Sequence, residues 1–166
     1  MAARTPSGLF LATHAGNNDE SHNHNDIGDF IVYLGNEPVI IDVGRGNYTA
    51  KTFSSKRYEL WFTQSQYHNL PIINGFGQLA GKSYFAENVK RSTSETTASL
   101  FMDISKAHPK EAGIEYWNRT VQLDRVKNAV EISDDYSLPK PPSSLQQVFM
   151  TVCGIDIADA GKIKLR

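Results

Sequence analysis

Phe30-Ile31-Val32-Tyr33-Leu34-Gly35-Asn36-Glu37-Pro38-Val39-Ile40-Ile41-Asp42 sets two runs of β-branched and aromatic residues on either side of a Gly-Asn turn. Such runs favour extended backbone, and a two-residue turn of this type closes a hairpin. Both faces of each run are apolar, so the hairpin is expected centrally, with material packed above and below it. Working outward, similar short runs separated by Gly, Asn, Asp and Pro clusters place strands at 8–14, 29–34, 38–43, 83–86, 88–94, 98–103, 114–124, 129–133 and 146–152. Within 114–124, Tyr116, Asn118, Thr120, Gln122 and Asp124 alternate with Trp117, Val121 and Leu123, the pattern of a half-buried strand. The expected fold is all-β: an antiparallel β-sandwich of two packed sheets. At most one or two short helical turns are expected, near Ser54 or Ser55, where Tyr58, Trp61 and Phe62 lie three and four apart. Residues 1–166 read as one domain. The three prolines within 137–144 mark a surface loop.

Composition narrows the function. Seventeen Lys and Arg against eighteen Asp and Glu give a net charge of -1. That balance offers no electrostatic footprint for nucleic acid or an anionic membrane. No apolar run approaches the roughly 20 residues of a membrane span, and the opening residues lack the apolar core of a signal peptide. The compartment is therefore not legible. With a single cysteine, Cys153, neither an internal disulfide nor a Cys-rich metal site can form. Any metal here must take histidine and carboxylate ligands.

Ser21-His22-Asn23-His24-Asn25-Asp26 supplies candidates immediately before the apolar hairpin. In extended backbone, residues two apart point the same way about 7 Å apart, so His22 and His24 could present both rings to one site. Asp42 ends a buried run, where an unpaired carboxylate carries a large desolvation cost. Either a nearby cation or the N–H groups of the turn at Gly44 would relieve it. His68, in Tyr67-His68-Asn69-Leu70 at the start of another apolar segment, reads first as a hydrogen-bonded core residue and only second as a ligand. A hairpin turning at Gly35-Asn36 sets Asp42 opposite Asp29, leaving His24 about 16 Å further along a straight strand. His24 therefore reaches Asp42 only if the chain folds back near Asn25 to Gly28. The aromatic residues Trp61, Phe62, Phe76, Tyr84 and Phe85 read as core rather than as a sugar platform.

The order His22-Asn23-His24-Asn25-Asp26-Ile27-Gly28, Ile41-Asp42-Val43-Gly44, Tyr48, Arg57-Tyr58 and Tyr67-His68-Asn69 resembles the β-sandwich domain of the heparinase II/III-like polysaccharide lyases, which include related alginate lyases. Asn74-Gly75 with Gln78, then Trp117-Asn118-Arg119-Thr120-Val121 and Glu131-Ile132-Ser133-Asp134, extend the likeness over most of the chain. The resemblance implies that His24, Asp42 and His68 hold one zinc ion. It also implies that His22 lines the substrate cleft, and that Tyr58 or Tyr48 stands near the scissile bond. Asn23, Arg57 and Asn69 are expected to contact the glycan. Members of the family carry an α/α-toroid before the sandwich, so this chain reads as a domain excised from a longer, periplasmic or secreted enzyme.

The reaction implied is β-elimination on a uronic-acid glycan. Neutralising the uronate carboxylate comes first, because charge develops beside it when the C5 proton leaves. A base then takes that proton and an acid protonates the leaving glycosidic oxygen, roles that His and Tyr can fill. Elimination needs no metal-bound hydroxide, so the zinc is expected to be structural, and the domain alone to bind metal with little or no turnover. The competing expectation is a non-catalytic carbohydrate-binding or assembly module whose histidines only stabilise the fold.

Overall fold

The computed structural model describes residues 1–166. In chain order the strands are β1 (Ala2–Arg4), β2 (Leu9–Thr13), β3 (Asn17–Asn18), β4 (Phe30–Leu34), β5 (Glu37–Ile40), β6 (Pro71–Ile73), β7 (Gly81–Phe85), β8 (Glu87–Thr93), β9 (Thr97–Asp103), β10 (Tyr116–Asp124), β11 (Ala129–Ser137), β12 (Leu145–Gln147), β13 (Ile155–Asp156) and β14 (Lys164–Leu165). Two four-stranded antiparallel sheets, β1-β2-β4-β5 and β11-β10-β9-β8, form the sandwich. Between them Leu11, Phe30 and Val32 meet Val121 and Leu123. A second cluster, including Ile73, Met102, Ile104 and Trp117, carries the core to Ile27 in the histidine-bearing loop. Each such buried side chain stabilises the fold by roughly 1.5–3 kcal/mol.

Strand β10 alternates as its sequence does, with Trp117, Arg119, Val121 and Leu123 inward. The central hairpin differs from expectation in two ways. Only one face of β4 is fully buried, through Phe30 and Val32, while Ile31 and Tyr33 are half-buried. Strand β5 is a sheet edge, and the C-terminal stretch runs beside it: Ile41 N–H donates to the Met150 carbonyl at 2.9 Å and the Thr151 hydroxyl to that of Val39 at 2.7 Å. An irregularity between Val32 and Tyr33 pairs Val32 with Ile40 but Tyr33 with Pro38. The extra residue shifts all that follows, so Asp42 no longer falls opposite Asp29.

Helical turns are more numerous than the one or two expected. Four 3-10 turns run in series at Ala50–Phe53, Arg57–Glu59, Trp61–Thr63 and Ser65–Tyr67, and two more lie at Ser105–Ala107 and Lys110–Ala112. A turn closed by a single i to i+3 bond leaves too short a hydrophobic period to read.

The fold-back on which the site depends is present. Gly28, at φ +86°, donates its N–H to the His14 carbonyl at 3.0 Å, and Asp29 N–H donates to the Asp26 carbonyl at 2.9 Å. Gln78 clamps the intervening Ile27, accepting from its N–H at 3.0 Å and donating to its carbonyl at 2.7 Å.

Candidate functional site

The fold-back brings His24 to the segments carrying Asp42 and His68. The two imidazole centroids lie 5.2 Å apart, and Phe62 packs edge-on against His24 at 5.8 Å. Asp42 Oδ2 is 3.0 Å from His68 Nδ1, while Oδ1 accepts the Gly44 N–H, the turn donor expected for this carboxylate. Asp29, unsuspected from the sequence, accepts the Asn69 N–H at 2.8 Å through Oδ1 and lies 3.7 Å from His68 Nδ1 through Oδ2. His68 is wholly buried, yet neither of its ring nitrogens has an aligned hydrogen bond. Ligand atoms of His24, Asp26, Asp42 and His68 all lie within 4.8 Å of one another. His68 is buried with Nε2 unpartnered and Nδ1 facing the Asp42 and Asp29 carboxylates, which no Lys or Arg pairs; this fits a divalent cation, and two imidazoles with carboxylate oxygens are a donor set that zinc accepts.

Electrostatics follow the same geometry. Burial lowers the His24 pKa. Burial would lower His68 as well, but the Asp29 and Asp42 carboxylates outweigh it and raise His68 to about 10. For Asp42 burial pushes upward and is overcome by His68 and the Gly44 N–H, leaving it at about 2.

His22 is not in this group. Its φ of +63° turns the chain out of the extended form, so its ring faces solvent and meets Tyr48 at 6.3 Å instead of joining His24. A left-handed histidine is uncommon and costs on the order of 1–3 kcal/mol. His22, Asn23, Phe53, Arg57 and Tyr58 line a shallow concavity of about 290 Å³. A larger one, about 530 Å³, is lined by Tyr84, Lys106, His108, Lys110, Glu111 and Glu115, but the His108 ring is buried with its nitrogens facing the Ile104 and Pro71 carbonyls.

The Arg57-Tyr58 pair clasps this loop. Arg57 donates from Nε and Nη2 to the Asn23 carbonyl at 3.2 and 3.0 Å and from Nη1 to that of Thr52 at 3.1 Å. The edge that would grip a carboxylate bidentately grips backbone instead. Tyr58 donates its hydroxyl to Asn23 Oδ1 at 2.8 Å, and Asn23 Nδ2 donates to the His24 carbonyl at 2.9 Å. Asn69 is fully buried: Nδ2 donates to the Phe30 and Ile41 carbonyls and Oδ1 accepts from Met150 N–H. Asn23, Arg57 and Asn69 each hold the loops that carry the histidines, and Asn23 and Arg57 also line the concavity. Tyr48 is exposed beside His22, and Trp61, expected in the core, is 54% exposed.

The family model described as Heparinase II/III-like, C-terminal, matches residues 8–144. This chain belongs to the heparinase II/III-like family. Among solved structures it resembles heparan sulfate lyase HepC from Pedobacter heparinus, at 15% identity and a TM-score of 0.54 over 75% of this chain and 20% of that one. A HepC mutant gives 17% identity and a TM-score of 0.53 over 70% and 17%. At these identities the likeness shows the fold, and the chain spans about a fifth of HepC. No curated protein matches it.

Within this heparinase II/III-like sandwich, sequence reasoning passed over Asp26, Asp29 and the depth of Arg119. The last is wholly buried and donates to both Asp134 oxygens at 2.8 and 2.7 Å, to the carbonyls of Gly28 and Asn69 at 3.1 and 2.9 Å, and to Gln147 Oε1 at 3.0 Å. It therefore ties the fold-back to the His68 segment. Asp26 carried a signal, standing two residues beyond His24 as His24 stands beyond His22.

Proposed function

We propose that this chain is the metal-bearing β-sandwich of a polysaccharide lyase that cleaves uronate-containing glycans by β-elimination, with a zinc ion held by His24, Asp42 and His68. The observation that carries the reading is the buried His68, Nε2 without a partner and Nδ1 on Asp42, beside His24 and one loop away from an open concavity bearing His22 and Tyr58. Zinc, when bound, would supply the positive charge that fixes these three segments.

His22, free on the concavity, takes the C5 proton. Tyr58, a phenol protonated at neutral pH and lining the same concavity, turns from its hydrogen bond to Asn23 Oδ1 and gives its proton to the leaving glycosidic oxygen. Tyr48, packed on Phe53 and carrying Arg45 over its ring at 5.3 Å, flanks the sugar rather than serving as the acid. With Arg57 engaged by backbone, neutralisation of the uronate carboxylate falls to groups outside this chain. That suits a domain acting within a longer enzyme, one that the resemblance supplies with an N-terminal toroid.

Metal analysis of the purified chain should find one zinc, lost in His24→Ala and His68→Ala. The full-length enzyme should release product with the ultraviolet absorbance of an unsaturated uronate. A wild-type chain that binds no zinc, or glycan breakdown without that double bond, overturns the reading. The exposed Tyr48 and Phe53 rings favour the second reading, a carbohydrate-binding module. Unchanged turnover of the full-length enzyme after His22→Ala would select it.

A further inference from the structure

The three residues so far assigned to the metal leave a fourth position open. Asp26 lies in the same group, its ligand atom within 4.8 Å of those of His24, Asp42 and His68. A tetrahedral zinc with bonds of about 2.0–2.1 Å needs neighbouring ligand atoms about 3.3 Å apart, so small side-chain movements close the set. The backbone of Asp26 is fixed by the turn to Asp29 and by the Gln78 clamp on Ile27, which aims the carboxylate without help from the metal. Its side chain is 16% exposed, and His14 at the end of β2 meets Oδ2 through Nε2 at 3.4 Å. One oxygen is thereby engaged and the other is left free.

Charge argues the same way. Asp26, Asp29 and Asp42 surround two imidazoles, and none of the three carboxylates is paired with Lys or Arg. A divalent cation offsets most of that negative charge, whereas a histidine pair alone does not.

We infer that Asp26 is a fourth protein ligand, held in place by His14, and that protein groups fill the metal's coordination shell. This rests on the metal reading above and sharpens it: with four protein ligands the ion has no position for water or sugar and acts by holding loops together. His14 is a positioning residue, acting through the carboxylate it orients.

Cobalt(II), which reports coordination by its visible absorption, is the probe. The metal-free wild-type chain should bind one cobalt with a tetrahedral spectrum that azide leaves unchanged, because no ligand position is exchangeable. Asp26→Asn should bind cobalt about 10–100-fold more weakly and acquire an azide-sensitive spectrum; His14→Gln should weaken binding about 10-fold without azide sensitivity. An azide-sensitive wild type, or Asp26→Asn with wild-type affinity, overturns the closed site. A wild type that binds no cobalt overturns the metal reading itself, a different result. Should Asp26→Asn fail to fold by circular dichroism, the azide response of the wild type still decides.

Discussion

Replacing Arg119 by Met removes the group that joins the sandwich core to both ligand-bearing loops. The side chain is wholly buried, while its partner Asp134 keeps 17% exposure. Five hydrogen bonds go: two to Asp134, one each to the Gly28 and Asn69 carbonyls, and one to Gln147. Breaking a buried ion pair by deleting one partner costs about 3–5 kcal/mol, and partial access of Asp134 to water favours the lower figure. Each carbonyl left unsatisfied adds about 1–3 kcal/mol, reduced wherever water or a shifted neighbour reaches it. A total of about 4–6 kcal/mol is expected, a large share of the 5–15 kcal/mol typical of a domain. At about 2–4 °C per kcal/mol for this chain length, the melting temperature should fall by about 10–20 °C.

Thermal unfolding followed by circular dichroism, in chelator so that metal linkage is removed, measures this directly. Arg119→Lys keeps the charge but not the fork, and should recover less than half of the loss. Arg119→Met combined with Asp134→Leu should recover part of it, since an apolar pair leaves no stranded carboxylate. A melting temperature within about 3 °C of wild type for Arg119→Met would refute the reasoning, because it would place less than about 1 kcal/mol in the whole network.

Three further outcomes are expected. In chelator the His68 pKa stands at about 10 against 6.5 unfolded, so its stabilising contribution is complete below pH 6.5 and is lost as pH rises through 10. The contribution of Asp42, at about 2 against 3.8 unfolded, is present above 3.8 and lost as pH falls through 2. Melting temperature should therefore decline from pH 6.5 to 9 in chelator but not with saturating zinc, where a ligating His68 is already neutral; parallel profiles would contradict this. Gly28→Ala meets a φ of +86° and Ile104 Cγ2 at 3.2 Å, so it should cost about 1–3 kcal/mol in chelator and weaken cobalt binding; unchanged melting would contradict the strained turn. In the full-length enzyme Tyr58→Phe should lower kcat by about 10²–10⁴ with KM little changed, whereas Tyr48→Phe should keep most activity; the reverse order would exchange their roles.

The sandwich was legible where one local rule decides it. Alternation in Tyr116–Asp124 and the apolar runs around Gly35-Asn36 each fix a strand from neighbours alone. Arg119 breaks the alternation it belongs to, a charge at an inward position, because its partner Asp134 sits across the β10–β11 register and cannot be seen along one strand. The site is a stronger case of the same limit. His24, Asp42 and His68 are separated by lengths that carry no period, and the turn bringing them together is only permitted by Gly28, not required by it. An ordered likeness to a known family carried that information. The structure adds the physical reason, since Gln78 and Arg119 enforce what Gly28 allows. Because Arg119 bonds to the Gly28 and Asn69 carbonyls at once, the residue beside His68 and the fold-back behind His24 move only if a core strand moves. Metal affinity and sandwich stability should therefore fall together in Arg119 variants and separately in Asp26 variants, whose side chain meets the exposed His14 rather than a buried core residue.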